Sequence, residues 1–229
     1  NADKLYVLTE RGLFEIDTAP STWTSLLVYP NSQVGDLVFS RRVTVWEGKL
    51  WFAPSVGNDE AAIVVSMDTV GGARMFNSNM GLDIRDGVPS DYLGAPRWLK
   101  PAGKFLYMSV GGHAASRNAK VLCRNGPREE EDGWHFIYHS SSANLEIEWL
   151  EYSSLGGTEA ERLHFSIRTA SSTVTTHYIG NPNANPSSGV TFIFDDGGSV
   201  TLPRLNAGHP TNTKNWIQFR IAARNLSSD

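Results

Sequence analysis

A leucine followed by a ring-bearing residue and then an apolar one recurs four times along the chain, as Leu5-Tyr6-Val7, Leu50-Trp51-Phe52, Leu106-Tyr107-Met108 and Leu163-His164-Phe165. The steps between the leucines are 45, 56 and 57 residues. A period of that size is the mark of stacked supersecondary units, in the range of propeller blades and kelch-like repeats. It constrains the fold more than any other feature, because each unit is too small to bury both of its faces alone.

The surroundings of the motif recur with it. A Trp-bearing stretch and a turn precede the later three copies: Val43-Thr44-Val45-Trp46 then Glu47-Gly48, Pro96-Arg97-Trp98-Leu99 then Pro101-Ala102-Gly103, and Leu145-Glu146-Ile147-Glu148-Trp149-Leu150 then a longer loop through Gly156-Gly157. The first copy lacks this preceding strand. Two further β-rich runs follow each motif. They are residues 12–17 and 23–29, residues 62–68 and 73–76, residues 120–124 and 133–138, and residues 174–179 and 190–194. Short runs rich in Val, Ile, Thr and aromatics, bounded by Gly, Pro and Asn, read as strands. Four short antiparallel strands per unit is the plan of a propeller blade. The expectation is therefore an all-β chain of about four four-stranded blades, forming a ring or an arc, over residues 1–36, 37–88, 89–142 and 143–194. A C-terminal β segment over 195–229 closes the sheet or leads to a further domain. A β-sandwich, which also has short strands at regular spacing, is the alternative. The long period, carrying a whole four-strand unit with its Trp, favours the propeller.

The C-terminal segment opens on a hairpin signal, Asp195-Asp196-Gly197-Gly198. It ends on Lys214–Ile221, which alternates Trp216, Gln218 and Arg220 with Ile217, Phe219 and Ile221. The chain starts at Asn1, as expected of a processed product or a piece of something longer. Cys123 is the only cysteine, so no internal disulfide forms, and its alternating surroundings place it as a small buried side chain.

Charge narrows the partners. Twenty Lys and Arg against 24 Asp and Glu give a net charge of −4, and the basic residues are scattered. A nucleic-acid groove needs them clustered to displace counterions from phosphates. No run of 18 apolar residues is present, so no helical membrane insertion is expected.

Candidate chemistry is sparse. The loop Gly81-Leu82-Asp83-Ile84-Arg85-Asp86-Gly87-Val88-Pro89-Ser90-Asp91 carries three carboxylates around one guanidinium. Asp83, Arg85, Asp86, Asp91 and the neighbouring loop aromatic Tyr92 are the candidate ligand- or metal-binding residues; two carboxylates near Arg85 suit acid–base work or a cation. The competing reading is turn chemistry, since Asp-Gly and Pro-Ser-Asp are turn and cap signals. His135 and His139 share a face of a regular strand but stand about 13 Å apart at 3.3 Å per residue, too far for one metal. Glu129-Glu130-Glu131-Asp132 reads as a solvated hairpin tip. There is no nucleophile elbow, no Ser-x-x-Lys and no phosphate-binding loop. The sialidase Asp-box is represented only by fragments. No catalytic residue and no cofactor is expected. Most of the seven Trp and seven Tyr fall within the repeated strands, where a core role is the default.

Four signatures together resemble propeller-bearing structural proteins of tailed bacteriophages. They are Leu5-Tyr6-Val7 leading into Arg11–Asp17 and Trp23; Gly87-Val88-Pro89-Ser90-Asp91 before a strand; Gly133-Trp134-His135 with Tyr138; and Ala207-Gly208-His209-Pro210 followed by Lys214 and Trp216. The resemblance covers most of the chain and carries over no functional residue. It implies a virion-associated or extracellular, non-enzymatic role in tail or fibre assembly. The partners it implies are other subunits or domains of a larger assembly and a host-surface glycan. A lectin-like propeller and a carbohydrate-active hydrolase or lyase using Asp83 and Asp86 stand as the alternatives.

Overall fold

A computed structural model describes residues 4–9, 12–17, 22–28, 39–54, 62–68, 74–79, 81–86, 88–111, 118–126, 133–143, 145–154, 161–169 and 173–180. Among them the chain is all-β, with no α-helix and three single-turn 3-10 segments. The run Glu129–Asp132, residues 190–194 and the whole segment 195–229 lie outside the described residues.

Four antiparallel sheets form in chain order, each a simple meander, and none closes on itself. The first holds β1 (Lys4–Thr9), β2 (Gly12–Asp17) and β3 (Thr22–Val28). The second holds β4 (Val43–Trp46), β5 (Lys49–Phe52), β6 (Val65–Asp68) and β7 (Arg74–Asn77). The third holds β8 (Pro96–Ala102), β9 (Phe105–Val110), β10 (Asn118–Asn125) and β11 (Trp134–Ala143). The fourth holds β12 (Glu146–Ser154), β13 (Glu161–Arg168) and β14 (Val174–Gly180). Local sequence sets the turns. Glu47 at φ 50 and Gly48 at φ 73 make the two-residue hairpin between β4 and β5. Two central residues at positive φ match the twist of the flanking strands.

The period-two alternation of these strands sends successive side chains to opposite faces, and both faces of the middle sheets are apolar. Leu13 of the first sheet meets Leu50, Phe52 and Met67 of the second. The opposite face of the second sheet, with Trp46, Trp51 and Val64, meets Leu99, Leu106, Met108, Val110 and Leu122 of the third. The third sheet's other face, with Tyr107, Ala119 and Val121, meets Ile147, Leu150, Leu163, Phe165 and Ile167 of the fourth. Sheets thus stack face to face in the order in which they are made.

Three of the four repeated leucines occupy matching places in this stack. Leu50, Leu106 and Leu163 sit on the second strand of their sheets, and each is buried against the preceding sheet. Leu5 differs. It lies on β1, the first strand among the described residues, and is 55% exposed. The difference has a direct cause: among the described residues there is no earlier sheet for it to face.

Sheets three and four are also joined by charge. Glu146, at the start of β12, accepts from the Arg97 guanidinium of β8 at 3.3 Å and from that of Arg168 on β13. Burial in the same interface pushes the Cys123 thiol up to about 11 from its ordinary 9.0. Burial raises the Tyr107 phenol as well, with smaller contributions from Cys123, Tyr152 and Glu161, and burial raises that of Tyr138. These groups hold their protons in the folded protein at a pH where the unfolded chain has begun to lose them. For the Cys123 thiol the associated stability is complete below about pH 9 and is lost as pH climbs through about 11; for the two phenols, whose ordinary value is 10.0, the loss begins only near pH 10. Urea titrations at pH 8, 10 and 11 are expected to give midpoints that fall in that order; a midpoint unchanged at pH 11 contradicts this packing.

Candidate functional site

The candidate residues lie on the connection from the second sheet to the third, residues 81–95. Gly81 begins it at φ +85, and its Cα backs onto β11 so closely that a Cβ would stand 2.4 Å from the Trp134 carbonyl oxygen. Trp134 holds the connection from the other side, its indole Nε1 donating to the Ser78 carbonyl at 2.9 Å. Gly94 closes the connection in the same manner, with an added Cβ 2.3 Å from the Gly111 carbonyl oxygen. Only glycine tolerates both the positive φ and the contact. Gly81→Ala is therefore expected to cost about 2–3 kcal/mol, a strain and overpacking effect. A thermal melt checks this, with Gly48→Ala as comparison, since nothing lies within 4 Å of a Cβ there.

Between these glycines the acidic residues do local work. Asp86 turns its carboxylate inward, where Oδ2 accepts the backbone N–H of Gly81 at 2.8 Å and that of Asp83 at 3.4 Å. The Asp83 carbonyl accepts the N–H groups of Asp86 and Val88 at 3.0 and 3.2 Å. This is a side chain mimicking a backbone turn, the competing reading of the loop. Arg85 belongs to the 3-10 turn Ile84–Asp86, and Asp91 to the next one, Ser90–Tyr92. The two turns are separate.

Tyr92 is brought to residues far away in sequence. Its ring meets Phe136 edge-on at 5.3 Å and His139 at 5.4 Å, and its hydroxyl lies 3.4 Å from His139 Nδ1. The ammonium of Lys120, itself almost wholly buried, stands 5.8 Å from the ring centroid. Tyr92, Lys120, Phe136, Leu82 and Val88 line a cavity of about 10 Å³. That is room for about one water, not for a sugar or metabolite. The sequence places Lys120 in the β-rich run 120–124 but not among the candidate site residues. It sits in an alternating strand whose inward phase was legible, but only the crossing of the loop over β10 gives it a neighbour.

The histidine pair needs a correction. On a regular strand His135 and His139 share a face; here they do not. Phe136 pairs with Leu122 and Tyr138 with Val121, so Ile137 is an extra residue, a bulge. It shifts the phase of β11 by one. His135 falls opposite Cys123, on the side of the fourth sheet, while His139 falls opposite Lys120 and meets Tyr92. Among the described residues no three His, Cys, Asp or Glu side chains converge as metal ligands, and no helix is long and apolar enough to cross a membrane. Comparison with models of known protein families and with curated proteins gave no match to this chain.

Proposed function

We propose that the chain is a non-enzymatic structural and binding module: a propeller-like stack of blades that works by being joined to other units, in a virion tail or fibre assembly with contact to a host surface. The observation that carries this reading is the partly open apolar face of the first described sheet. Register places Leu5 opposite Ile16 and Val7 opposite Phe14, so these four side chains share the outer face of the first sheet. Leu5 is more than half exposed there, while Val7, Phe14 and Ile16 are only partly buried. An apolar sheet face of this kind gains from a further unit laid over it. The first-strand neighbours β4, β8 and β12 also touch in succession, as strands around an axis would.

The propeller-like arrangement is supported by this succession and by the leucine positions. An enzymatic role on Asp83 and Asp86 is disfavoured by the engagement of Asp86 in its own turn. Mass spectrometry of purified particles from the source organism tests the proposal. The module is expected in fixed stoichiometry with other particle proteins. Recovery solely as a free monomer, absent from any particle, would overturn it.

A further inference from the structure

The two faces of the fourth sheet differ in kind. One is apolar and packed against the third sheet. The other is built from rings and hydrogen-bonding groups. Register puts Trp149 opposite Ser166, Glu151 and Tyr178 opposite His164, and Ser153 opposite Arg162, all on this outer face. Three rings cross the three strands in a row: Trp149 to His164 at 6.4 Å and His164 to Tyr178 at 6.1 Å. Tyr178 is 59% exposed. Ser153 Oγ lies 3.0 Å from His164 Nε2, beside the row. Such a face, with its charged and hydrogen-bonding groups, offers less to another blade than the apolar surfaces of the other interfaces do.

We propose that this face binds a carboxylated saccharide. Sugar rings present C–H faces that lie on aromatic rings and hydroxyls that need donors and acceptors, and the row supplies both. Charge selects the acidic kind. Glu151 is neutralised by Lys100, while the Arg162 guanidinium is exposed and held 4.6 Å over the Tyr178 ring. That leaves a cation with a planar fork beside a stacking platform, the pairing suited to a carboxylate carried on a sugar ring. The inference deepens the host-surface part of the proposed function and rests on it.

Calorimetric titration of the full chain with oligogalacturonate, with a neutral galacto-oligosaccharide of equal length and with acetate tests it. The acidic oligosaccharide is expected to bind most tightly, and acetate not to compete. Arg162→Gln is expected to abolish the preference for the acidic ligand, a loss of about tenfold or more. Tyr178→Ala is expected to weaken both saccharides about tenfold. Both positions are exposed, so the melting temperature should hold. The proposal is overturned if the wild-type chain binds neither saccharide. It is equally overturned if the variants bind undiminished, or if acetate competes as well as the oligosaccharide. A negative result with an unchanged melt leaves the assembly reading standing; that reading fails on the particle measurement instead.

Discussion

Trp51→Ala is expected to destabilise the protein by about 3–5 kcal/mol, the range for deleting a fully buried large aromatic. Trp51 is wholly inaccessible at the interface between the second and third sheets. Its indole Nε1 donates to the Trp46 carbonyl at 3.1 Å, and its ring meets Trp46 edge-on at 5.4 Å. From the third sheet the guanidinium of Arg124, a residue with no solvent exposure, stands 5.3 Å from the same ring. Removal therefore leaves a cavity, one donor fewer on the Trp46 carbonyl, and a buried cation deprived of its aromatic neighbour. For a chain of this size the melting temperature should fall by on the order of 10 °C. Val45→Ala on the neighbouring strand is the control: Val45 is 64% exposed, and less than about 0.5 kcal/mol is expected. Equal, small effects at both positions would mean that the second and third sheets do not pack as described.

The next largest effect is expected at Glu146. Glu146→Gln removes the charge that two guanidiniums share, and Arg97 is only 13% exposed at its side chain. Breaking a buried pair by neutralising one partner costs about 3–5 kcal/mol, because the remaining charge loses its compensation. Arg168 is 42% exposed and can turn to water, which places the expected cost near the lower end of that range. The double variant Arg97→Leu with Glu146→Leu should recover most of the loss, since replacing both members by apolar groups is often near neutral. Chemical denaturation of the two variants checks this. A double variant worse than Glu146→Gln alone would show that the pair contributes net stability instead of merely being mutually required.

Much of this architecture was legible in the sequence, for a physical reason. Strand alternation and turn residues act locally, so β4, β5, β8, β9 and β13 fall where the motif and its preceding Trp put them. The stacking order followed from the period, because units that cannot shelter both faces must shelter each other's. What escaped was whatever depends on phase shifts or crossings. The Ile137 bulge inverted the placement of one histidine, and no local composition announces a bulge in Trp134-His135-Phe136-Ile137-Tyr138-His139. The loop carboxylates show the reverse case: Asp86 was visible as both ligand candidate and turn former, and only the hydrogen bonds to Gly81 and Asp83 give the second role. Tyr92 was singled out as a loop aromatic, but its neighbours Lys120, Phe136 and His139 come from strands 28 to 47 residues later, beyond any local pattern.

The fold rests on four small sheets lying one upon the next, with Leu50, Leu106 and Leu163 each facing the sheet made before it. Methyl-to-ring NOEs in leucine-labelled protein measure this directly. Leu106 methyls are expected to show NOEs to the Trp51 and Trp46 rings, and Leu163 methyls to the Tyr107 ring. NOEs linking Leu50, Leu106 and Leu163 methyls to one another, as in a two-sheet sandwich with one shared core, would contradict it.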